Sequence, residues 1–348
     1  MDDSEAGLER YRRSRARRSA AILAATVALA AATFAATMMV GNYHVSWGEV
    51  IEILLGGGSP EKRQVVMDIR LPRILCCAMV GAALSLSGLA MQSLFKNPMA
   101  SPSILGISSG AAFGASIAIS FGIGAAALGR HSIPLMAFAF CFMTMGAVYA
   151  IARTRYGVAT VTLLLAGVAV GAFFNGLVSL MQYIANEDTM AAIVYWMMGS
   201  FNKCVWDSVY IALLPIAAGI ALMALQTREL NLISAGEEQA ANMGVSVKRS
   251  RAMIIVGASL CVGGSVAISG TIGFVGLIVP HILRMIAGPG HRLLVPMCVF
   301  GGAAFMMAMD TLSKAAFPVS VPVGILTSLL GAPFFIYVMK MRKKEMWE

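Results

Sequence analysis

The sequence predicts an all-α integral membrane protein of about ten transmembrane helices, with both termini on the cytoplasmic side. Three observations predict it. Of 348 residues, 58% are hydrophobic and only 12% are charged, about half the charged share of an ordinary soluble domain. Nearly charge-free stretches of about 20 residues, the length that crosses a hydrocarbon core, recur along the chain. The basic residues are also unevenly distributed between the segments that join these stretches.

The spans fall near 19–41, 74–95, 103–123, 132–152, 159–183, 207–226, 252–270, 273–287, 293–313 and 322–341. Residues 1–18 form a basic cytoplasmic segment, with six arginines in 10–18 (RYRRSRARR), suited to anionic lipid headgroups. Residues 19–348 then make one transmembrane domain whose longest cytoplasmic loop is 227–251. A signal peptide is the rival for 10–40, but the apolar run there is long and the first helix is expected to be retained. With an even number of spans, most of the 26 basic residues lie on the inner side. The outer side keeps only Lys62, Arg63, Arg70, Arg73, Arg130, Lys203 and Lys314. The net charge of +9 is thus a topology signal. No aromatic-interleaved basic patch points to nucleic acid.

Outside the membrane, Ser46–Leu55 suits a short amphipathic helix at the interface. Tyr195, Trp196 and Trp206 suit an aromatic belt in the outer segment 185–206. Within the spans, Gly81 and Gly88 with Ser85, then Gly106, Gly110 and Gly114, then Gly167 and Gly171, predict close helix packing. Gln92, Asn175 and Gln182 either line a wet pathway or bond between helices. Asp310 is expected to pair with Lys314 one turn away. His281 follows Pro280 in a short, bent eighth span, as a structural histidine. Of six cysteines, five fall in apolar spans and Cys204 is expected to be exposed on the outer side without a partner. No metal spacing is present among them.

The chain carries no GxxxxGK[ST] loop for ATP, no HExxH and no series of buried carboxylates for proton coupling. Uphill transport would take its energy from another subunit. An ion-coupled carrier or channel is the rival class, and an intramembrane enzyme has no residues to support it.

Six blocks carry a resemblance. Arg70-Leu71-Pro72-Arg73 leads into VGAALSLSGLAMQSLFKNPMASPSILGISSGAAFG (80–114). Then come LLLAGVAVG (163–171), YWMMGSF (195–201), GTIGFVGLIVPHILRMIAGPGHRLLVP (270–296) and PVGILTSLLGAPFFIYVM (322–339). In this order they resemble the FecCD family, permease subunits of type II ABC importers for iron-siderophores, haem and vitamin B12. The resemblance covers nearly the whole chain from residue 46. It implies the type II ABC importer permease fold in the cell membrane and a homodimer. Two ATP-binding cassette ATPases would hydrolyse ATP-Mg beneath it, and a substrate-binding protein would dock outside. The permease itself would be no enzyme and would bind no cofactor or metal.

The same resemblance assigns residues. Arg70, Arg73 and Lys314 would dock the binding protein through its carboxylates; lysine at the third position, where arginine is usual, loses the bidentate fork. Gly236, Glu237, Glu238, Ala240, Met243 and Gly244 would form the segment that couples to the ATPase, with Ala240 and Met243 on one apolar face and Gly244 ending the helix. Asn97 and Met99 in NPMA, with Thr160 and Val161, would gate the pathway. Met99 stands where leucine is usual. The cargo is expected to be an iron-siderophore or related metal chelate, with cobalamin or haem as alternatives.

Overall fold

A computed structural model describes residues 2–41, 43–124, 128–154, 157–158 and 160–345, with side chains described from Arg13 to Arg153 and from Val161 to Lys340 within these ranges. Eight helices among the described residues are long and apolar enough to cross a membrane, and two shorter apolar helices, Ile107–Phe121 and Val275–Ala287, bring the set to the ten expected.

The chain begins with α1 (Asp2–Met39), a single helix in which the exposed Arg13, Arg15, Arg17 and Arg18 run directly into the apolar span. The interfacial helix is α2 (Trp47–Leu54). Its start is fixed by a capping box: Ser46 N–H donates to Glu49 Oε2 at 2.8 Å while the Glu49 N–H donates to Ser46 Oγ. A bond from the Lys62 ammonium and one from the Ser46 N–H hold the Glu49 carboxyl down to about 2 from 4.5. The cap's contribution is therefore complete above the ordinary carboxylate value and is lost only as pH falls towards 2. Val50 and Ile53 face inward, whereas Trp47, Ile51 and Leu54 face out, as an interfacial helix requires.

The second span starts earlier than its sequence suggests. Pro60–Leu94 runs as one rod: α3 (Pro60–Gln64), a π-helical turn (Val65–Arg70) and α4 (Leu71–Leu94). In the π turn the Leu71 N–H reaches back to Val66 O, so Arg70 and Arg73 lie in a helix rather than an outer loop. Nineteen residues of α4 are buried, which makes it the central post of the bundle. An all-round apolar sequence suits that position. The post ends where Asn97 Oδ1 accepts the Met99 N–H at 2.9 Å and Pro98 follows, an Asx turn.

A 3₁₀ turn (Pro102–Leu105) then leads into α5 (Ile107–Phe121), shorter than the predicted span 103–123. Next come α6 (Ser132–Ala152), a two-residue ladder pairing Arg153 with Val158, and α7 (Thr160–Ile184). The outer segment contains α8 (Glu187–Met197), whose N-cap Asn186 accepts the Thr189 N–H. It is followed by α9 (Trp206–Leu225), then by the cytoplasmic α10 (Thr227–Ala235) and α11 (Glu237–Asn242). The last four helices are α12 (Val247–Ser269), α13 (Val275–Ala287), α14 (His291–Ala315) and α15 (Val323–Glu345).

Helices α9, α12, α13 and α14 all pack on α4. They approach closely because bare backbone faces bare backbone. Gly81 lies against Gly302 of α14, and Gly88 against Gly276 of α13; a Cβ at either would strike a carbonyl. Gly106 meets Gly167 and Gly171, while Gly110 meets Thr144 and Gly114 meets Met136. The glycine spacing was thus a packing signal. Gln92 bonds between helices, donating from Nε2 to Gly276 O at 3.2 Å. All six cysteines are free and buried. Cys204 departs from its expected exposure, because the chain folds back at Ser200–Val205 and its thiol donates to Ile268 O at 3.6 Å.

Gly88→Val is expected to lower the unfolding midpoint in detergent, at a cost of about 3 kcal/mol, because no flexible side chain can give way. Gly48→Ala in α2, where nothing lies within 4 Å, is expected to leave the midpoint unchanged or slightly raised. Equal midpoints for the two variants would remove the close-packing account.

Candidate functional site

Three regions carry the functional argument: an outer cation cluster, a cleft beside the turn between α12 and α13, and the cytoplasmic loop. In the outer cluster, Asp310 of α14 has no exposed surface. It accepts from Arg73 Nε at 3.1 Å, from Arg73 Nη2 at 2.7 Å, and from Lys314 Nζ at 2.7 Å. The expected Asp310–Lys314 pair is present, and Arg73, distant in sequence, completes it. Arg70 turns the other way. Its guanidinium donates to the carbonyls of Met38 and Met39, in the last turn of α1 where carbonyls lack helical partners, and to that of Tyr43 just beyond it. Gly41 makes room for it, since a Cβ there would lie 2.9 Å from Nη2.

The three basic residues read as docking points thus sit at one end of the bundle, but each is bonded inward. Arg70 is 7% exposed, and the side chains of Arg73 and Lys314 are 14% and 16% exposed. Two cations on one carboxylate leave the cluster net positive.

The cleft, of about 440 Å³, is lined by Met197, Met198, Thr271, Gly273, Gly324 and Ile325, with Ser328 and Leu329. It lies where α12 stops at Ser269 and α13 begins only at Val275. Between them the backbone is non-helical and is tied to its neighbours: Ser200 N–H donates to Ser269 O at 2.7 Å, and Gly324 N–H to Gly199 O at 3.1 Å. The sequence reading ended one span at 270 and began the next at 273 but assigned no site residues between them; Gly270 and Gly273 were the available signal.

The remaining pathway residues are dispersed. Asn175 is exposed on α7, and Gln182 donates to Met197 Sδ at 3.6 Å, at the edge of the cleft. Asn97 is exposed, while Met99 lines a small apolar pocket with His281 and Phe334. The His281 ring meets Phe334 edge-on at 6.0 Å. Val161 is exposed at the start of α7. The side chain of Thr160 lies outside the described residues. Among those residues, no group of three or more His, Cys, Asp or Glu is placed to hold a metal.

In the cytoplasmic loop, Gly236 breaks the chain between α10 and α11 with φ 166° and ψ 136°, and Glu237 and Glu238 occupy the acidic first turn of α11. Arg251 Nη2 binds Glu237 Oε1 at 2.5 Å, tying α11 to α12. Gly244 (φ 81°) follows the helix end. Ala240 and Met243 do not share a face as expected. Ala240 is fully buried, whereas the helix ends at Asn242 and Met243, beyond it, is 60% exposed.

Asp310→Asn would strand two cations on the bundle. We expect it to cost about 3–5 kcal/mol of stability in detergent. Lys314→Gln, which leaves the two-point Arg73 contact, is expected to cost less than half as much. Equal losses for the two would show that Arg73 is not the principal partner.

With this geometry in hand, comparisons with known proteins are consistent throughout. The profile of the FecCD transport family matches residues 27–341. The cobalamin import system permease protein BtuC of Halobacterium salinarum is 40% identical over 287 residues, covering 82% of this chain and 76% of that one. The hemin transport system permease protein HmuU of Yersinia pestis is 38% identical over 282 residues, 80% of this chain and 84% of that one. The molybdate import system permease protein MolB of Haemophilus influenzae is 34% identical over 316 residues, with coverages of 89% and 92%. A solved metal-chelate type ABC transporter in an inward-facing conformation superposes with a TM-score of 0.82 at 34% identity, covering 92% of this chain and 99% of that one. From its central glycine-packed post to its short eighth helix, this chain belongs to the FecCD transport family.

Proposed function

We propose that this chain is the multi-pass membrane permease of an ATP-driven importer, receiving a metal chelate from an extracytoplasmic binding protein and passing it to the cytoplasm. The observation that carries this is the family match over nearly the whole apolar body, residues 27–341. The chemistry within the chain agrees. Asp310 is the only carboxylate among the buried described residues, and two cations hold it. A proton-coupled carrier needs a titratable group free to load and unload. The driving force then comes from two ATPase subunits using ATP-Mg, and the chain itself needs no cofactor.

Two copies would make the pathway. Val161, Leu165 and Val168 on α7, with Leu329 and Ile336 on α15, are exposed apolar residues, and a second copy would cover part of that surface. The cleft between Met198 and Leu329 would open towards the shared axis. Outside, the net-positive cluster of Arg73, Asp310 and Lys314, together with Arg70, would attract the acidic lobes of the binding protein; its bonded geometry makes it a fixed field rather than a set of free side chains. Inside, α11 would seat in the ATPase through exposed Met243, held in place by buried Ala240 and the Glu237–Arg251 pair. The arginines of 10–18 would rest on anionic headgroups. Gate roles for Asn97, Met99, Thr160 and Val161, and pathway roles for Asn175 and Gln182, belong to this reading.

For cargo, a ferric siderophore or similar chelate fits a cleft with apolar walls and two hydroxyl side chains, Thr271 and Ser328. Cobalamin and haem are the second reading, favoured by the cobalamin and hemin permeases that are 40% and 38% identical to this chain.

Proteoliposomes containing the permease, its ATPase and its binding protein should take up one of cyanocobalamin, haemin or a ferric hydroxamate only with ATP. ATP-independent uptake by the permease alone would overturn the assignment. Met243→Asp changes an exposed side chain with little folding cost and should weaken ATPase co-purification by about tenfold. Unchanged recovery would remove α11 from the coupling site.

A further inference from the structure

The buried histidine at the start of α14 has no role in the site described above. His291 is 2% exposed, and both ring nitrogens and its backbone N–H are engaged. On one side is Asn231, in the middle of α10. Its Oδ1 accepts the His291 backbone N–H at 2.9 Å and lies 2.8 Å from Nδ1, while its Nδ2 donates to Thr227 O at 3.1 Å. On the other side, Ser93 Oγ of α4 lies 2.5 Å from Nε2.

These contacts fix the direction of every bond. A backbone N–H can only donate, so the Asn231 atom facing His291 is its carbonyl oxygen. That oxygen can only accept, so Nδ1 carries a proton. None of the ring's bonded partners is a carboxylate, and a buried charge without one is costly, so the ring is neutral and Nε2 accepts. The Ser93 hydroxyl is then its donor, drawn from the alternative acceptor Leu89 O at 2.8 Å. The chain of bonds runs from Ser93 through His291 and Asn231 to Thr227.

Its location gives it meaning. Ser93 lies at the inner end of the post, four residues before Asn97 and six before Met99. Asn231 lies on the helix that precedes α11. We propose that His291 is a positioning residue that couples movement of α10–α11 to the inner end of α4, and so to the Asn97–Met99 turn. This inference rests on the reading of α11 as the ATPase contact. A directional three-residue link is short, has its polar groups satisfied at both ends, and transmits displacement in a way that apolar packing, which can slide, does not. The Glu237–Arg251 pair serves α12 instead, so α4 depends on His291 for a polar link to the loop among the bonds described.

The test uses the full complex with its ATPase in proteoliposomes. Met99→Cys is introduced as a reporter, the six native thiols being buried. Maleimide labelling is compared between the nucleotide-free and ATP–vanadate states. We expect a change in labelling rate of about fivefold, reduced to less than twofold by Ser93→Ala and by Asn231→Leu. Asn231→Asp, which keeps an oxygen to accept both His291 bonds, should preserve the change. A full response in Ser93→Ala and Asn231→Leu overturns the link while leaving the coupling segment in place. If the Met99→Cys complex itself fails to retain ATPase or to respond to nucleotide, the coupling reading is overturned and the link falls with it.

Discussion

The carboxylate of Asp310 is buried in a protein with very few charges inside its bundle, and it is held by Arg73 and Lys314. Burying an ion costs several kcal/mol even in a relaxed interior, and only close partners in good geometry offset that. Arg73 supplies a two-point contact from α4, and Lys314 a third bond from one turn along α14. The arrangement therefore fixes both the rotation and the axial register of the central post against α14. Eight residues further along each helix, Gly81 faces Gly302; at the inner end, Ser93 faces His291. At 1.5 Å per residue, each of the two intervals is roughly 12–18 Å. One antiparallel register satisfies an ion cluster, a backbone contact and a hydrogen bond together, so α4 and α14 are locked to one another along their length.

Such a unit explains where flexibility is left. The non-helical segment between Ser269 and Val275 lies outside the pair, next to the cleft, and is tied to the outer segment by a bond from Thr271 Oγ1 to Met197 O, with the Ser200–Ser269 and Gly199–Gly324 backbone bonds beside it. Phe274 there has φ 66°, a conformation uncommon for an aromatic residue, and packs on Gly331 of α15. Cleft walls made from α8, α15 and this segment can shift relative to the rigid pair without breaking a buried charge.

The spans, the interfacial helix and the close packing were legible because each is local: about 20 apolar residues, a capping box across four positions, glycines one turn apart. Asp310 with Lys314 was legible for the same reason. Arg73 with Asp310 was not, because the partners are 237 positions apart and their meeting depends on which helices are neighbours. His291 with Ser93 escaped on the same ground, at a separation of 198. Cys204 was misjudged because outer loops were taken to be exposed, whereas this one folds back over the bundle. Ala240 and Met243 parted because helical periodicity was carried one residue past the end of the helix.

The inward bonding of Arg70, Arg73 and Lys314 changes what their charge can do. A side chain donating to a carbonyl or carboxylate at the end of a helix cannot swing out to form a new bond without leaving its first partner unpaired, at a cost comparable to the bond gained. On the proposed reading, a docking protein would therefore meet a positive potential anchored in the α1–α4–α14 framework. A fixed field steers and orients an acidic partner and acts mainly on the rate of encounter. Such a surface is suited to a carrier protein that must arrive, deliver and leave repeatedly. It also connects both faces of the membrane to one mechanical element, since the post that presents Arg73 outside ends at Ser93 inside.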